Sequence, residues 1–323
     1  MGLISKLREL KSIYNLVVAD IVYQYRHAQS GLTSDNMDNR LSRIMILIHQ
    51  LEKGLSHEIR RSDWGREKVY RLINYLNGLD ESMMRHDVVQ TALSVLDKYK
   101  NDGEACKDAS LLQSIDALHE FRKEGTDSWS GFKTVKEPDF VKSDETVWDF
   151  FKSRSSVREF SDRLVSDEDY RLALKLASLT PTACNRQTSR VYRFDDKKVI
   201  KQILDTQLGD QGWCMNASTL FVVVSNGSYF GIGIEARQAY IDGGMYAMNF
   251  CMGLHLQHIG TCFKMFVRSR REEKMFRKVT GIKAQEIPIV LICAGYYPED
   301  GHTMYAPLSH RLSVTHVDDS VTC

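Results

Sequence analysis

The sequence predicts an α+β protein, a sheet flanked by helices and preceded by an all-helical region. Three observations carry that expectation. Residues 1–124 place apolar side chains at helical spacing. Residues 125–143, GTDSWSGFKTVKEPDFVKS, mix Gly, Ser, Pro and charge without period, as a linker or a wrapping arm does. From residue 144 onward, short apolar runs alternate with helical patterns on one continuous core. The expected division is a helical extension over 1–124, a linker over 125–143 and an α+β domain over 144–323.

In the first region, Leu3, Leu7, Leu10, Tyr14, Val17, Ile21 and Tyr25 recur every three or four residues, one face of a helix. Four more helices are predicted over about 37–53, 64–78, 81–100 and 105–123. In the α+β region, residues 145–152 form a short helix. Ser166-Asp167-Glu168-Asp169 is a capping box that opens a helix to about Leu179. Strands are expected at 191–194, 220–224, 261–267 and 288–295, and a long helix over about 235–258.

Composition bounds the function classes. The chain has 323 residues, a length that suggests two domains. Its net charge of +1 provides no global field for nucleic acid, so any anion site must be local. The cysteines number seven and include no CxxC, which points to reduced, cytosolic thiols rather than disulfides or zinc; no metal is expected. No apolar run approaches the ~20 residues of a membrane span, and the start lacks a signal-peptide core. Met1-Gly2 fails the myristoylation pattern because position 6 is Lys6. The stripe of the first helix is expected to pack on other helices or a second subunit, in preference to a membrane surface.

Against that neutral background, residues 153–160 read SRSSVREF. Arg154 and Arg158 bracket Ser155 and Ser156. Guanidinium forks match phosphate geometry at any working pH, and hydroxyls add short donors. This pattern is a candidate phosphate clamp; alone, it also describes an ordinary solvated loop. Beyond the next helix comes PTACNRQ, residues 181–187. Asn185 and Gln187 lie two apart, so in an extended segment both amides point to one side and could read the mixed edge of a heterocycle. A small-residue helix, DGGMYAMNFCMGL, then runs into HIGTCF.

In this order, the motifs resemble the nitroreductase family of FMN-dependent enzymes, over about residues 145–315. The resemblance implies a nitroreductase-like mixed sheet and a long form with an N-terminal helical extension. It implies that Arg154, Ser155, Ser156 and Arg158 hold the FMN phosphate and ribityl chain. Thr182, Ala183, Asn185 and Gln187 would approach the flavin from the partner subunit of a homodimer. Gly260 and Thr261 would sit near the flavin, with Cys262 and Phe263 just beyond. Arg311, in PLSHRLS, matches the basic residue that reaches the phosphate; Ser309 stands where many members carry lysine, and Thr188 where proline is usual. The implied chemistry is transfer of hydride or electrons from NAD(P)H through flavin to a small-molecule acceptor, with no protein side chain as the catalyst. The alternatives are an FMN-binding scaffold, conceivably of a polysaccharide biosynthesis pathway, or another flavin reaction on the same fold.

Two other motifs compete for attention. GIGIEA, 231–236, fits a dinucleotide fingerprint, but NGSYF separates it from the preceding strand, and that fingerprint needs its first glycine at the strand end. HQLEKGLS, 49–56, gathers His49, Glu52 and Lys53, and also reads as a helix end with Gly54 as its cap. It resembles a motif of a long-form nitroreductase-like subgroup from polysaccharide gene clusters, where it would be structural or a wall over the flavin.

Overall fold

The computed structural model describes residues 36–57, 59, 61–105, 108–132, 145–207, 212–233, 235–266 and 270–298, with positions 11, 14, 17, 18, 21–28 and 306. The helical part is built on α1 (Met37–Leu55), α2 (Arg66–Asn77), α3 (Glu81–Met84), α4 (Asp87–Lys100) and α5 (Ala109–Leu118). Each buries one stripe: Ile44, Leu47, Ile48 and Leu51 of α1 meet Leu72 and Leu76 of α2, Leu93 and Leu96 of α4 and Leu111 and Ile115 of α5. The single helix expected over 81–100 is two. His86 breaks it, accepting the Val88 N–H through Nδ1 at 3.2 Å as the cap of α4. The Gln90 amide then donates to the freed Met84 carbonyl at 2.6 Å and to Phe121 at 2.9 Å.

Gly54 is not the expected helix cap. The helix continues to Leu55, and Ser56 caps it. Gly54 stands inside because a Cβ there would lie 2.1 Å from the Trp64 ring, so only hydrogen lets α1 pack against that indole.

The sheet follows α6 (Glu145–Ser153) and α7 (Asp167–Ala177). Its strands are β1 (Ser189–Phe194), β2 (Thr219–Asn226), β3 (Ile259–Met265) and β4 (Glu286–Tyr296), in the order β1-β2-β4-β3. All named pairs are antiparallel. The four-stranded sheet is thus antiparallel rather than mixed; a parallel contact, the isolated bridge from Ser156 to Thr261, lies on the outer edge of β3, outside the named strand pairs. β2 is buried along its whole length, which explains its unbroken apolar run. Alternate residues serve opposite faces. Leu220, Val222 and Val224 meet α8 (Lys197–Leu204) and Phe276 of α10 (Arg270–Thr280). Phe221 and Val223 meet α7 and α9 (Gln238–Leu256). The result is a three-layer α+β arrangement: helices, sheet, helices.

Small residues set the spacing of the α7–α9 layer. A Cβ on Gly253 would lie 2.8 Å from Ala173 Cα, so the two helices touch backbone to backbone. Half of the expected capping box forms: Ser166 Oγ accepts the Asp169 N–H at 3.1 Å and donates to its carboxylate at 2.9 Å, while the Ser166 N–H goes to the Tyr296 hydroxyl at 3.1 Å. The helical part docks on the sheet part through α1. Ser42 Oγ donates to the Tyr229 carbonyl at 2.7 Å, and Asn226 Nδ2 donates to Asp38 Oδ2 at 3.0 Å. Among the described residues, no helix is long and apolar enough to cross a membrane.

Candidate functional site

The SRSSVREF segment leaves the end of α6 and lies along the free edge of β3. The Val157 N–H donates to the Thr261 carbonyl at 2.9 Å, and Ser156 bridges to Thr261. The approach is close because Gly260 has no side chain; a Cβ there would sit 2.9 Å from Val157. Arg154, Ser155, Ser156, Arg158, Gly260 and Thr261 thus come together, as the sequence grouped them. Thr261 contributes through its backbone: it is buried, and its hydroxyl is engaged with the Cys251 thiol at 3.0 Å.

The charge at this edge is local, in a nearly neutral chain. Arg66, Arg122, Arg186, Arg193 and Arg277 all pair with carboxylates. Arg154 and Arg158 form no such ion pair among the described residues. Arg158 donates to the Ser156 carbonyl at 3.3 Å and lies 5.3 Å from the Trp213 ring centroid, which fixes the guanidinium without neutralising it. The charges register on their neighbours. Burial pushes the Cys262 thiol pKa up, and the Arg158 charge and the Ser156 hydroxyl pull it part of the way back. Burial lowers the His255 pKa, the bond to the Phe150 carbonyl raises it in part and the Arg154 charge lowers it further; its Nε2 lies 2.9 Å from Ser153 Oγ. Two cations without an ion pair, placed beside the Ser155 and Ser156 hydroxyls, make this edge a candidate anion site.

PTACNRQ behaves differently from the expectation of an extended segment. Ala183–Asn185 is a 3-10 turn, and Cys184, Asn185 and Gln187 all have positive φ, at 51°, 52° and 48°. Such angles are uncommon for residues other than glycine and persist only where the surroundings over-determine them. Here a buried rivet does so. Arg186 donates to both Glu235 oxygens at 2.8 and 3.1 Å, to the Ala183 carbonyl at 3.0 Å and to the Tyr229 carbonyl at 2.7 Å. Its Cζ lies 4.5 Å from the Phe230 ring centroid. The buried Asp242 adds a second anchor, accepting the Ala183 N–H at 3.0 Å. The turn leaves Asn185 and Gln187 exposed, with Thr182 and Ala183 half-buried behind them. Sequence reasoning missed Arg186, Glu235 and Asp242. Glu235 lies in GIGIEA, whose glycines serve a different end from phosphate binding: the Gly231 N–H donates to Glu235 Oε2 at 2.7 Å.

The two groups do not meet within one chain. Ala183 is tied to Asp242 near the start of α9, whereas the Arg154 charge acts on Cys251 and His255 near its end. At ~1.5 Å rise per residue those points are about 14 to 20 Å apart. Along the same helix α9 exposes Tyr240 and Ile241 at its start and Met245 and Met248 between the two points, and the nearby α6 exposes Val147, Trp148 and Phe151. Ser309 and Arg311 lie outside the described residues.

Asn185 and Gln187 instead face the helical part, across a cavity of about 280 Å³ whose far wall includes His49 and Glu52 of HQLEKGLS. Burial raises the Glu52 pKa from its ordinary value, offset in part by the Gly131 N–H and the Lys98 charge. Burial and Lys53 lower that of His49. For a carboxyl whose folded-state pKa is raised, the unfolded chain ionises first as pH climbs. Stability is therefore full below the ordinary pKa of 4.5 and declines as pH rises through the folded value. Glu52→Gln, which keeps an acceptor for Gly131, should raise the melting temperature at pH 8 and leave it unchanged near pH 4. Paired melting curves at the two pH values check this; equal melting temperatures at pH 8 would remove the burial penalty assigned to Glu52.

Residues 151–211 match the family model described as the nitroreductase family. A curated protein of Archaeoglobus fulgidus, provisionally named as an NADH dehydrogenase/NAD(P)H nitroreductase, is 27% identical over 159 residues, 47% of this chain and 86% of its own. Among solved structures, a provisionally named NADH dehydrogenase/NAD(P)H nitroreductase from Parabacteroides distasonis is similar at 15% identity and TM-score 0.46, covering 54% of this chain and 99% of its own. A Desulfovibrio desulfuricans protein, provisionally named as a nitroreductase in complex with FMN, is similar at 19% identity and TM-score 0.42, covering 51% and 94%.

Proposed function

From the chain's membership of the nitroreductase family, carried by residues 151–211, we propose that this protein is an FMN-dependent oxidoreductase that passes electrons from reduced nicotinamide to a small-molecule acceptor. The observation that carries the reading is the pair of guanidinium groups, Arg154 and Arg158, left without carboxylate partners beside two serine hydroxyls at the β3 edge. A phosphate monoester, with about −1.5 to −2 charge near neutral pH, fits that donor set. Bound there, the flavin would supply the hydride and electron chemistry.

The chain's own residues bind, orient and shield. Arg154, Arg158 and Ser155 hold the phosphate end. The Val157–Thr261 backbone bond fixes the segment against the sheet, and Gly260 lets it approach. Asn185 and Gln187, set by the Arg186–Glu235 rivet, present amide donors and acceptors from a second copy of the chain. The separation of the two groups along α9 and the exposed apolar residues of α9 and α6 support this dimeric arrangement. The helical extension, 1–124, covers the mouth of the site, and 125–143 links it to the flavin-binding domain, 144–323. Ser309 and Arg311 are proposed to add to the phosphate end.

The purified protein's absorbance spectrum, followed by anaerobic NADPH and then NADH, tests the reading. Flavin bands that bleach with either nucleotide are the expected result. Flavin bands that persist with both would favour a bound flavin that is not reduced by nicotinamide. No flavin, even after added FMN, would overturn the assignment.

A further inference from the structure

The cavity between α1, α4 and the 183–185 turn holds two carboxylates, Glu52 and Asp87, beside neutral groups that both donate and accept: His49, Tyr229 and the Asn185 and Gln187 amides. Gly131 donates to Glu52 Oε1 at 3.2 Å, leaving Oε2. Thr91 spends its proton on the Asp87 carbonyl at 2.9 Å, so its oxygen can only accept. The Asp87 carboxylate and the Asn185 and Gln187 amide oxygens add further acceptors. The one guanidinium among the described lining residues, that of Arg186, is buried and saturated by Glu235 and two carbonyls. Lys123 lies outside the lining, 3.9 Å from Asp87; Lys98, also outside it, donates to Ser130. Apolar walls come from Met45, Val88 and the exposed indole of Trp129. At about 280 Å³ the space suits one small ring rather than a nucleotide.

We propose that this cavity binds a planar ring compound carrying N–H donors, of amide or amidine type, and rejects carboxylates of the same shape. The ligand donates to Glu52 Oε2, Asp87 and the amide oxygens, and its ring packs on Trp129. An anion would face carboxylates with no free cation among the described lining residues. The flavin reading would make this ligand the electron acceptor, and only that word rests on it. Residues outside the family segment, His49, Glu52, Thr91 and Trp129, would then set acceptor choice.

Three probes of one shape separate the outcomes: benzamide, benzamidine and benzoate, titrated calorimetrically into the full-length protein at pH 8. Benzamide and benzamidinium should each fill one site per chain, with benzoate at least about tenfold weaker, the loss expected for one charge-assisted bond. Trp129→Ala, at an exposed position, should weaken both binding probes. Glu52→Gln should weaken benzamidinium about tenfold while leaving benzamide within about twofold, a charge-specific split that general loosening would not produce. Benzoate binding as well as benzamide, no binding by any probe, or binding indifferent to Trp129→Ala would each overturn the proposal. The visible flavin bands, read on the same samples, keep the two readings apart. Flavin without probe binding overturns the cavity assignment alone; probe binding without flavin overturns the flavin reading alone.

Discussion

Replacing both clamp arginines, Arg154→Ala with Arg158→Ala, should weaken FMN binding by about 100- to 10,000-fold while leaving the fold in place. Each charge-assisted hydrogen bond contributes about 1.5–3 kcal/mol, and every ~1.4 kcal/mol is tenfold. Neither side chain carries a structural ion pair among the described residues, and both are only half-buried, so folding should change little. The cost to packing is confined to the Arg158 contact with Trp213. Flavin fluorescence titration of the double variant, with melting temperature as control, reads the effect. Full flavin retention would remove the clamp from the cofactor site. Either single variant should fall between wild type and the pair.

Arg186→Met should produce the largest loss of stability. The guanidinium is wholly buried, ties Glu235 bidentately and satisfies two backbone carbonyls. Breaking such a pair by removing one partner costs about 3–5 kcal/mol. Arg186→Lys should not rescue it, because a point charge cannot span Glu235, Ala183 and Tyr229 at once. Glu235→Gln should cost less, since Glu235 is partly exposed and the carbonyl bonds of Arg186 survive. Urea unfolding of the three variants gives the ranking. A loss under about 1 kcal/mol for Arg186→Met would mean that Asp242 alone holds the turn.

The sequence made the elements legible where periodicity is long and the ends are chemically marked. The helix over 37–53, the Ser166 capping box and all four strands lie within a few residues of their observed bounds. α8 and α10 escaped, because both are short and heavily charged, and their apolar residues, such as Ile200, Ile203 and Phe276, are too few to establish a period. The clamp was readable as a local excess of charge, and its proximity to Gly260 and Thr261 as motif order. The turn conformation was not. Left-handed backbone is advertised by glycine, and PTACNRQ has none; the turn is held by anchors remote in sequence, Arg186 finding Glu235 49 positions away and Ala183 finding Asp242 59 positions away. Glu235 itself sat in a glycine-rich stretch that imitates a different motif. HQLEKGLS was legible as a helix end, but not Gly54, whose reason is Trp64, nor the cavity wall, which exists only once α1 meets the turn.

The length of α9 between its two anchor points has a genetic corollary in the dimeric reading. A chain damaged only in the clamp and a chain damaged only in the turn are each inactive as pure dimers. Mixed together, they pair into dimers that hold one intact site, assembled from the sound half of each. Lesions in this protein would therefore sort into two complementation groups within a single gene, divided by which end of one helix they touch.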